Sequence, residues 1–359
     1  MKKLIIIAPY PLGEAPSQRF RFEQYLSHFE KNDWQWELHS FWSMSAWKIL
    51  YHPGKYFQKF FGLLSGFIRR IFLMFRLHGA DVVFIHREAT PVGPPIFEWV
   101  IAKILRKKII YDFDDAVWNP NVSVANGFAN RLKWYSKVSK ICRWAAVVTC
   151  GNNYLRDYAL HFNRNAKFIP TTIDTDYHLA NLKTENKIPV IGWTGTHSTT
   201  YYLNFLFPVF KKLEEQFQFE LCIISNKDLQ LPLKSYRFIH WKKETEIADL
   251  QKFDIGIMPL PDDEWSKGKC GFKLLQYMAV GVPSIASPVG VNTEIIINNQ
   301  TGWIAKTESE WFEKLSALLK NAEERKSVIA KAREHIEKNY SVNALKEKYI
   351  SLLNEVAGK

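Results

Sequence analysis

Short apolar runs rich in β-branched residues alternate with longer stretches of helical period along almost the whole chain. In the first half the strand-like runs are residues 4–8, 82–86, 108–112, 146–150 and 167–169. Helical patterns at 17–29, 94–106, 126–143 and 152–161 separate them. A polar connection without clear periodicity covers residues 170–187. Residues 189–193 then open a second strand series, continued at 219–225, 237–240, 255–258, 284–287 and 303–305. The helices between them are 202–216, 245–251, 272–280, 308–320 and 322–338. Apolar strands alternating with helices predict βαβ units around a mostly parallel sheet. With no short-period repeat, two Rossmann-like halves joined by one linker is the economical reading.

One stretch departs from that alternation. After His52-Pro53-Gly54, residues 55–77 follow a helical period on their own. Lys55, Gln58, Lys59, Gly62, Ser65, Gly66, Arg69, Arg70 and Arg76 share one face, and Phe57, Phe60, Phe61, Leu64, Ile68, Ile71 and Phe75 the other. Such a basic, aromatic helix can lie in a membrane interface among anionic lipids. It can equally pack on the domain core with its cations in water. No acidic residue occurs between Glu37 and Asp81, and this tips the reading towards an anionic membrane surface.

Length and charge narrow the class. At 359 residues the chain exceeds what one core usually supports, which again predicts two domains. The net charge is +12, yet the sequence contains no recognisable nucleic-acid module, so nucleic acid is not the expected partner. Cys142, Cys150, Cys222 and Cys270 are scattered and form no CxxC pair, which argues for a reducing compartment and against a zinc site. The apolar run after Met1-Lys2-Lys3 is too short for a signal peptide and meets Pro9 at once. No run is apolar enough to span a bilayer. The expected location is cytoplasmic, free or on the inner face of the cytoplasmic membrane.

The most informative segment is 269–294, KCGFKLLQYMAVGVPSIASPVGVNTE. It reads as a loop, a helix opening near Phe272, a Gly281-Val282-Pro283 stop, a buried strand and a glycine turn at Gly290. Glycines admit a ligand close to the backbone, and helix N-termini offer unpaired N–H groups to anions. Two such turns suit a phosphorylated ligand at the carboxyl edge of a parallel sheet. The segment resembles the donor-site signature of retaining GT-B glycosyltransferases, the group 1 or family 4 class. The resemblance runs through Lys273–Ala279, Gly281-Val282-Pro283, Pro288-Val289-Gly290 and Glu294. It extends to Ile169–Thr175, which looks like that family's inter-domain crossing, and to a terminal helix after Asn339-Tyr340-Ser341, with Ser341 as N-cap.

That resemblance implies two Rossmann-like domains facing across a cleft: residues 1–170 on the acceptor side, a linker at 171–187, and 188–339 for the nucleotide sugar. Residues 340–359 would return as a helix to the first domain. It implies transfer from a nucleotide-diphosphate sugar to a lipid-linked or polysaccharide acceptor, with no cofactor and no metal. The departing phosphate would help to deprotonate the acceptor. Lys273, with Lys269 or Lys267 beside it, would neutralise the leaving diphosphate together with the Gly195-Thr196-Ser198 turn. Gly271, Phe272 and Gly290 would shape the donor site, Trp241 stack on or cover the base, and Gln276 and Glu294 meet ribose or sugar hydroxyls. One departure stands out: the family usually has two glutamates eight positions apart, and here those positions hold Gly268 and Gln276. Gln276 can still bond hydroxyls, whereas Gly268 replaces no carboxylate.

In the first half, Gly13, Arg19 and His86 lie at predicted strand ends and are candidates for the acceptor side. The Asp112-Phe113-Asp114-Asp115 run ends another strand. Asp114 falls roughly where the family has a histidine near the acceptor hydroxyl, and it could orient that hydroxyl or pair with Arg87. Two alternatives remain: a non-catalytic nucleotide-sugar-binding partner of another transferase, and a GT-B-type nucleotide-sugar epimerase.

Overall fold

The structure is a computed structural model that describes residues 1–50, 52, 54–120, 132–180 and 186–358. It divides into two compact units, Met1–Thr171 with Leu345–Lys359, and Thr172–Ala344.

In the first unit six parallel strands run in the order β2-β1-β3-β4-β5-β6. They are β1 (Lys2–Ala8), β2 (Trp34–Ser40), β3 (Val82–His86), β4 (Lys108–Phe113), β5 (Val147–Cys150) and β6 (Ala166–Phe168). The central strands β1, β3, β4 and β5 are buried along most of their length, as expected of a parallel sheet covered on both faces. Strand β2 is an addition to the expected set. It alternates Trp34, Trp36 and Leu38 with polar residues and lies at the sheet edge. With β2 on one side of β1 and β3 on the other, the chain reverses its direction of travel between β1 and β3. Ligands of open α/β sheets bind outside the strand ends at such a point.

Two expected helices are broken. The 17–29 pattern becomes a helix at Pro16–Arg19, a 3-10 turn at Glu23–Tyr25 and a helix at Leu26–Lys31. Gln18 is buried and bonds the Tyr10 backbone and Glu23, so side-chain bonds to the preceding loop accompany this irregular path. The 94–106 pattern is a helix at Ile96–Trp99 followed by a π-helix at Val100–Ile104. Of the 126–143 helix, Lys137–Trp144 is helical and the early part lies outside the described residues.

The Tyr56–Arg76 helix has the expected period, and its aromatic face is the one turned outward. Its buried residues are Gly66, Arg70 and Leu73, while Phe57, Phe61 and Phe75 stand in solvent. Arg70 donates to the carbonyls of Ala8 (2.9 Å), His39 (3.0 Å) and Ala89 (2.7 Å), and Arg69 to that of Phe41. Burial pushes the Arg70 guanidinium down to about 9. Two of the helix's arginines thus face the protein, which corrects the reading in which its cations are all available to water or headgroups. A Cβ at Gly66 would lie 2.5 Å from the Phe41 ring, so glycine permits this close approach.

The last helix, Val342–Gly358, is capped by Ser341, whose hydroxyl accepts from the Ala344 amide at 3.0 Å. Within the first unit, Tyr349 packs on Tyr25 at 4.5 Å, Glu355 pairs with Lys167 at 2.6 Å, and the Ala357 carbonyl accepts from Lys108.

The second unit holds six parallel strands in the order β12-β11-β10-β7-β8-β9. They are β7 (Val190–Thr194), β8 (Glu220–Ser225), β9 (Tyr236–His240), β10 (Ile255–Met258), β11 (Ser284–Ala286) and β12 (Trp303–Ile304). Its core gathers Ile191, Trp193, Phe210, Leu221, Ile257 and Trp311. The reversal here falls between β7 and β10. The expected 202–216 helix begins earlier, as a 3-10 helix over His197–Leu206, before the α-helix Phe207–Glu214. Among the described residues no helix is long and apolar enough to cross a membrane.

Candidate functional site

At the carboxyl edge of the second unit's sheet, three loops converge beside the β7–β10 reversal. The first leaves β7 at Thr194. Gly195 donates its amide to the Ile224 carbonyl, and a Cβ there would strike the Trp193 ring at 2.5 Å. Thr196 precedes the 3-10 helix with extended backbone and makes no side-chain cap bond. The side chain of Ser198 lies outside the described residues.

The second loop carries Lys269, Gly271 and Phe272 into the helix Phe272–Ala279. Gly271 has φ +67°, and a Cβ on it would lie 2.2 Å from Ile295. A side chain is excluded there on both counts. Lys273 is half-buried with its Nζ 5.4 Å from the Trp193 ring centroid, and Lys269 Nζ is 4.8 Å from that of Trp265. These are cation–π distances. The helix is tied to β7 because the buried Tyr277 hydroxyl accepts from the Thr194 amide at 3.0 Å. Lys267 pairs instead with Glu264 at 3.1 Å and Asp262 at 3.6 Å.

The third loop follows β11. Gly290 has φ +54° and packs so closely that a Cβ would lie 2.8 Å from the Lys267 carbonyl oxygen. Ser287 accepts from the Leu260 amide at 3.0 Å, joining the loops after β10 and β11. Glu294 is exposed on the short helix Asn292–Ile295. Lys273, Lys269, Gly195, Gly271, Phe272 and Gly290 are therefore on mutually packed loops.

Gln276 lies deeper than a surface hydroxyl ligand would. It is buried, and its amide nitrogen donates to Glu246 at 3.2 Å. Trp241 Nε1 donates to the same Glu246 oxygen at 3.3 Å. The Trp241–Glu246–Gln276 group was not foreseen. Glu246 opens the Glu246–Leu250 helix, and a glutamate at a helix start reads from sequence as a surface charge.

The first unit's strand ends carry a different arrangement. His86, Asp112 and Thr149 face one another across β3, β4 and β5, since the parallel register pairs His86 with Asp112 and Asp112 with Thr149. The Asp112 carboxylate accepts from Thr149 Oγ1 (2.7 Å), lies 2.8 Å from His86 Nδ1 and pairs with Arg21 (2.5 Å). All four are buried. Burial alone would raise the Asp112 carboxyl, but Arg21 and His86 outweigh it and hold it well below the usual carboxylate range. His86 Nε2 is buried without a hydrogen-bond partner, 3.9 Å from Asp114 Oδ1. Asp114 and Asp115 bind Arg87 at 2.7 Å each. Arg87 sits in the left-handed region, with φ +58°.

Gly13, with φ +81°, donates its amide to Glu23 at 2.9 Å in the loop after β1. Burial raises the Glu23 carboxyl against the opposing bonds from Gln18 and Gly13. Arg19 is half-buried, its guanidinium 4.8 Å from the Phe20 ring. Gly13, His86 and Asp114 thus gather at the strand ends of one sheet. Among the described residues no group of three or more His, Cys, Asp or Glu side chains is placed to hold a metal ion.

Residues 188–321 match the family model described as glycosyl transferases group 1. The chain is 33% identical over 88 residues to trehalose synthase of Pyrococcus horikoshii, covering 24% of this chain and 21% of that protein. It is 26% identical over 99 residues to glucosyltransferase 3 of Streptococcus parasanguinis, covering 27% and 30%. The chain thus aligns with less than a third of the length of either curated relative. Among solved structures it is similar to sucrose-phosphate synthase from Thermosynechococcus elongatus, with TM-score 0.73 at 12% identity over 100% of both chains. It is also similar to HepE from Anabaena in complex with UDP, with TM-score 0.64 at 13% identity over 99% and 100%. The chain has the GT-B fold, with a group 1 glycosyl transferase match over most of its second unit.

Proposed function

We propose that the chain is a glycosyltransferase moving a sugar, with retention, from a nucleotide-diphosphate sugar to a lipid-linked or polysaccharide acceptor. The observation that carries this reading is the placement of Lys273. It stands at the second position of a helix opened by a left-handed glycine, over Trp193, within the segment that matches group 1 glycosyl transferases. An ammonium held on an aromatic face, beside a helix N-terminus and glycine-lined loops, suits a diphosphate that gains charge as the glycosidic bond breaks.

Lys273 and Lys269 would hold the diphosphate, and the Trp241–Glu246–Gln276 group would lie under the nucleoside. His86 and Asp114 would face the acceptor, and the departing phosphate would take the acceptor's proton. Neither a resident cofactor nor a metal is part of this reading. A lipid-linked acceptor would place the enzyme on the cytoplasmic side of a membrane. Solved structures of HepE hold UDP and UDP-glucose, so uridine donors are the first to test.

The experiment is donor turnover with and without acceptor, after a thermal-shift panel has identified the nucleoside diphosphate that stabilises the fold. Sugar transfer that needs the acceptor supports the reading; conversion of donor alone points to an epimerase. Gly268 favours a second reading. It is buried at the end of the Glu264–Lys267 helix, where the resembling family has a carboxylate. Donor binding without hydrolysis or transfer would make the chain a nucleotide-sugar-binding partner of another transferase.

A further inference from the structure

The Tyr56–Arg76 helix carries a surface that sugar transfer does not explain. Phe57, Phe60, Phe61, Phe72 and Phe75 are between 58% and 82% exposed. Single exposed apolar residues are ordinary; five phenylalanines along one helix face are not. The stripe continues onto the next helix, Ile96–Trp99, where Ile96 and Trp99 are exposed and Phe97 approaches Phe67 at 6.2 Å. It runs the length of a 21-residue helix, so a flat partner can meet all of it at once.

The opposite face is already anchored. Arg70 spans three carbonyls, at Ala8, His39 and Ala89, and Gly66 packs on Phe41. The helix is a formed platform with its aromatic side outward, and binding need not fold it. The charges around that side are predominantly basic, although Arg76 pairs with Glu37 at 3.1 Å. Lys55, Arg76, Lys103 and Arg106 are exposed, no carboxylate occurs between Glu37 and Asp81, and Glu98 of the neighbouring helix is buried. A second copy laid on this face would bring like charges together, which disfavours self-association. An anionic bilayer offers acyl chains to the aromatic stripe and phosphates to its basic rim.

We propose that the outward face of the Tyr56–Arg76 helix is a docking surface for an anionic phospholipid bilayer, with the helix lying in the interface. This rests on the acceptor reading only for which side of the membrane is meant; lipid binding is measured without turnover. The full chain is sedimented with phosphatidylcholine vesicles and with vesicles containing phosphatidylglycerol, at low and high salt. The wild-type chain should partition about ten-fold or more in favour of the anionic vesicles and lose that preference in high salt.

A Phe57→Ser/Phe60→Ser/Phe61→Ser/Phe75→Ser chain should lose vesicle binding at least ten-fold, and these exposed positions make a folding failure unexpected. As a second variant, Lys55→Gln/Lys59→Gln/Arg76→Gln should lose about five-fold for each charge removed near the surface. Both should bind nucleoside diphosphate as the wild type does, so failure of donor binding would refute the transferase reading and leave this one standing. Equal partition into neutral and anionic vesicles would overturn the proposal, as would full binding by the aromatic variant. A wild-type dimer that the aromatic substitutions dissociate, with no vesicle binding, would assign the face to a second copy instead.

Discussion

The two sheets end in loops of opposite character. In the second unit glycines bring the loops together, and the cations among them, Lys273 and Lys269, rest on the faces of Trp193 and Trp265. In the first unit the polar groups are held by one another: Arg21, His86 and Thr149 converge on Asp112, and Arg87 binds Asp114 and Asp115. A cation on an aromatic face, beside glycine-lined loops, is placed to meet an arriving phosphate. A buried carboxylate with three partners cannot be given to a ligand without leaving charge unpaired. Polar residues at strand ends therefore do not mean the same thing in the two units. In the second they suit ligand binding; in the first, Asp112 and its buried partners serve the fold.

The largest expected effect tests the structural half of this contrast. Asp112→Ala leaves Arg21 buried without its carboxylate and should cost about 3–5 kcal/mol of stability, read by denaturant unfolding. Nucleoside-diphosphate binding should be unchanged under conditions where the variant is folded. The same residue sets a pH dependence. Its folded pKa is depressed, so its contribution is complete above the unfolded value near ~4 and is lost as pH falls below that. The stability gap between wild type and Asp112→Asn should narrow between pH 5 and pH 2, taken as rough limits. A gap constant with pH would mean that Asp112 is not charged in the folded chain.

Next comes Lys273→Ala, which should cost about 2–4 kcal/mol of transition-state stabilisation, a fall of roughly 30- to 1,000-fold in kcat/KM. Its melting temperature should barely move. A loss of stability without a loss of turnover would reverse the contrast and make Lys273 a packing residue. Gly290→Ala should do less, about 1–2 kcal/mol of stability, because the added Cβ meets the Lys267 carbonyl oxygen at a positive φ. Its donor affinity should fall in parallel, since the turn beside Lys267 must shift. The smallest expected effect is that of a chelator: donor turnover should survive it. Activity lost and then restored by magnesium or manganese would contradict this and point to the Asp112-Phe113-Asp114-Asp115 run as a metal site.

The contrast also explains what was legible in the sequence. Among the described residues, eleven of the twelve strands were placed to within a residue or two, because buried parallel strands read as short apolar runs between helices. The twelfth, β2, is an edge strand, and its signal was the weaker alternation of Trp34, Trp36 and Leu38. Period fixed the membership of the Tyr56–Arg76 helix faces but not which face is buried. The small residues Gly62, Ser65 and Gly66 beside Arg69 and Arg70 were the available clue, since close packing needs small side chains. The 269–294 segment was informative because its glycines are dictated locally, by backbone angle and contact. Pairings such as His86 with Asp112 and Gln276 with Glu246 join residues 26 and 30 positions apart. They depend on register and helix packing, which no local pattern states.

The central claim is that the second unit's glycine-lined edge binds a diphosphate through Lys273. Calorimetric titration of the wild-type chain and of Lys273→Ala with UDP, GDP and ADP tests it most directly. The account predicts that one of these binds the wild type and binds Lys273→Ala at least about ten-fold more weakly, a loss of 1.4 kcal/mol or more. Equal affinity of the folded variant for that nucleotide, or no binding of any diphosphate to the wild type, would contradict it.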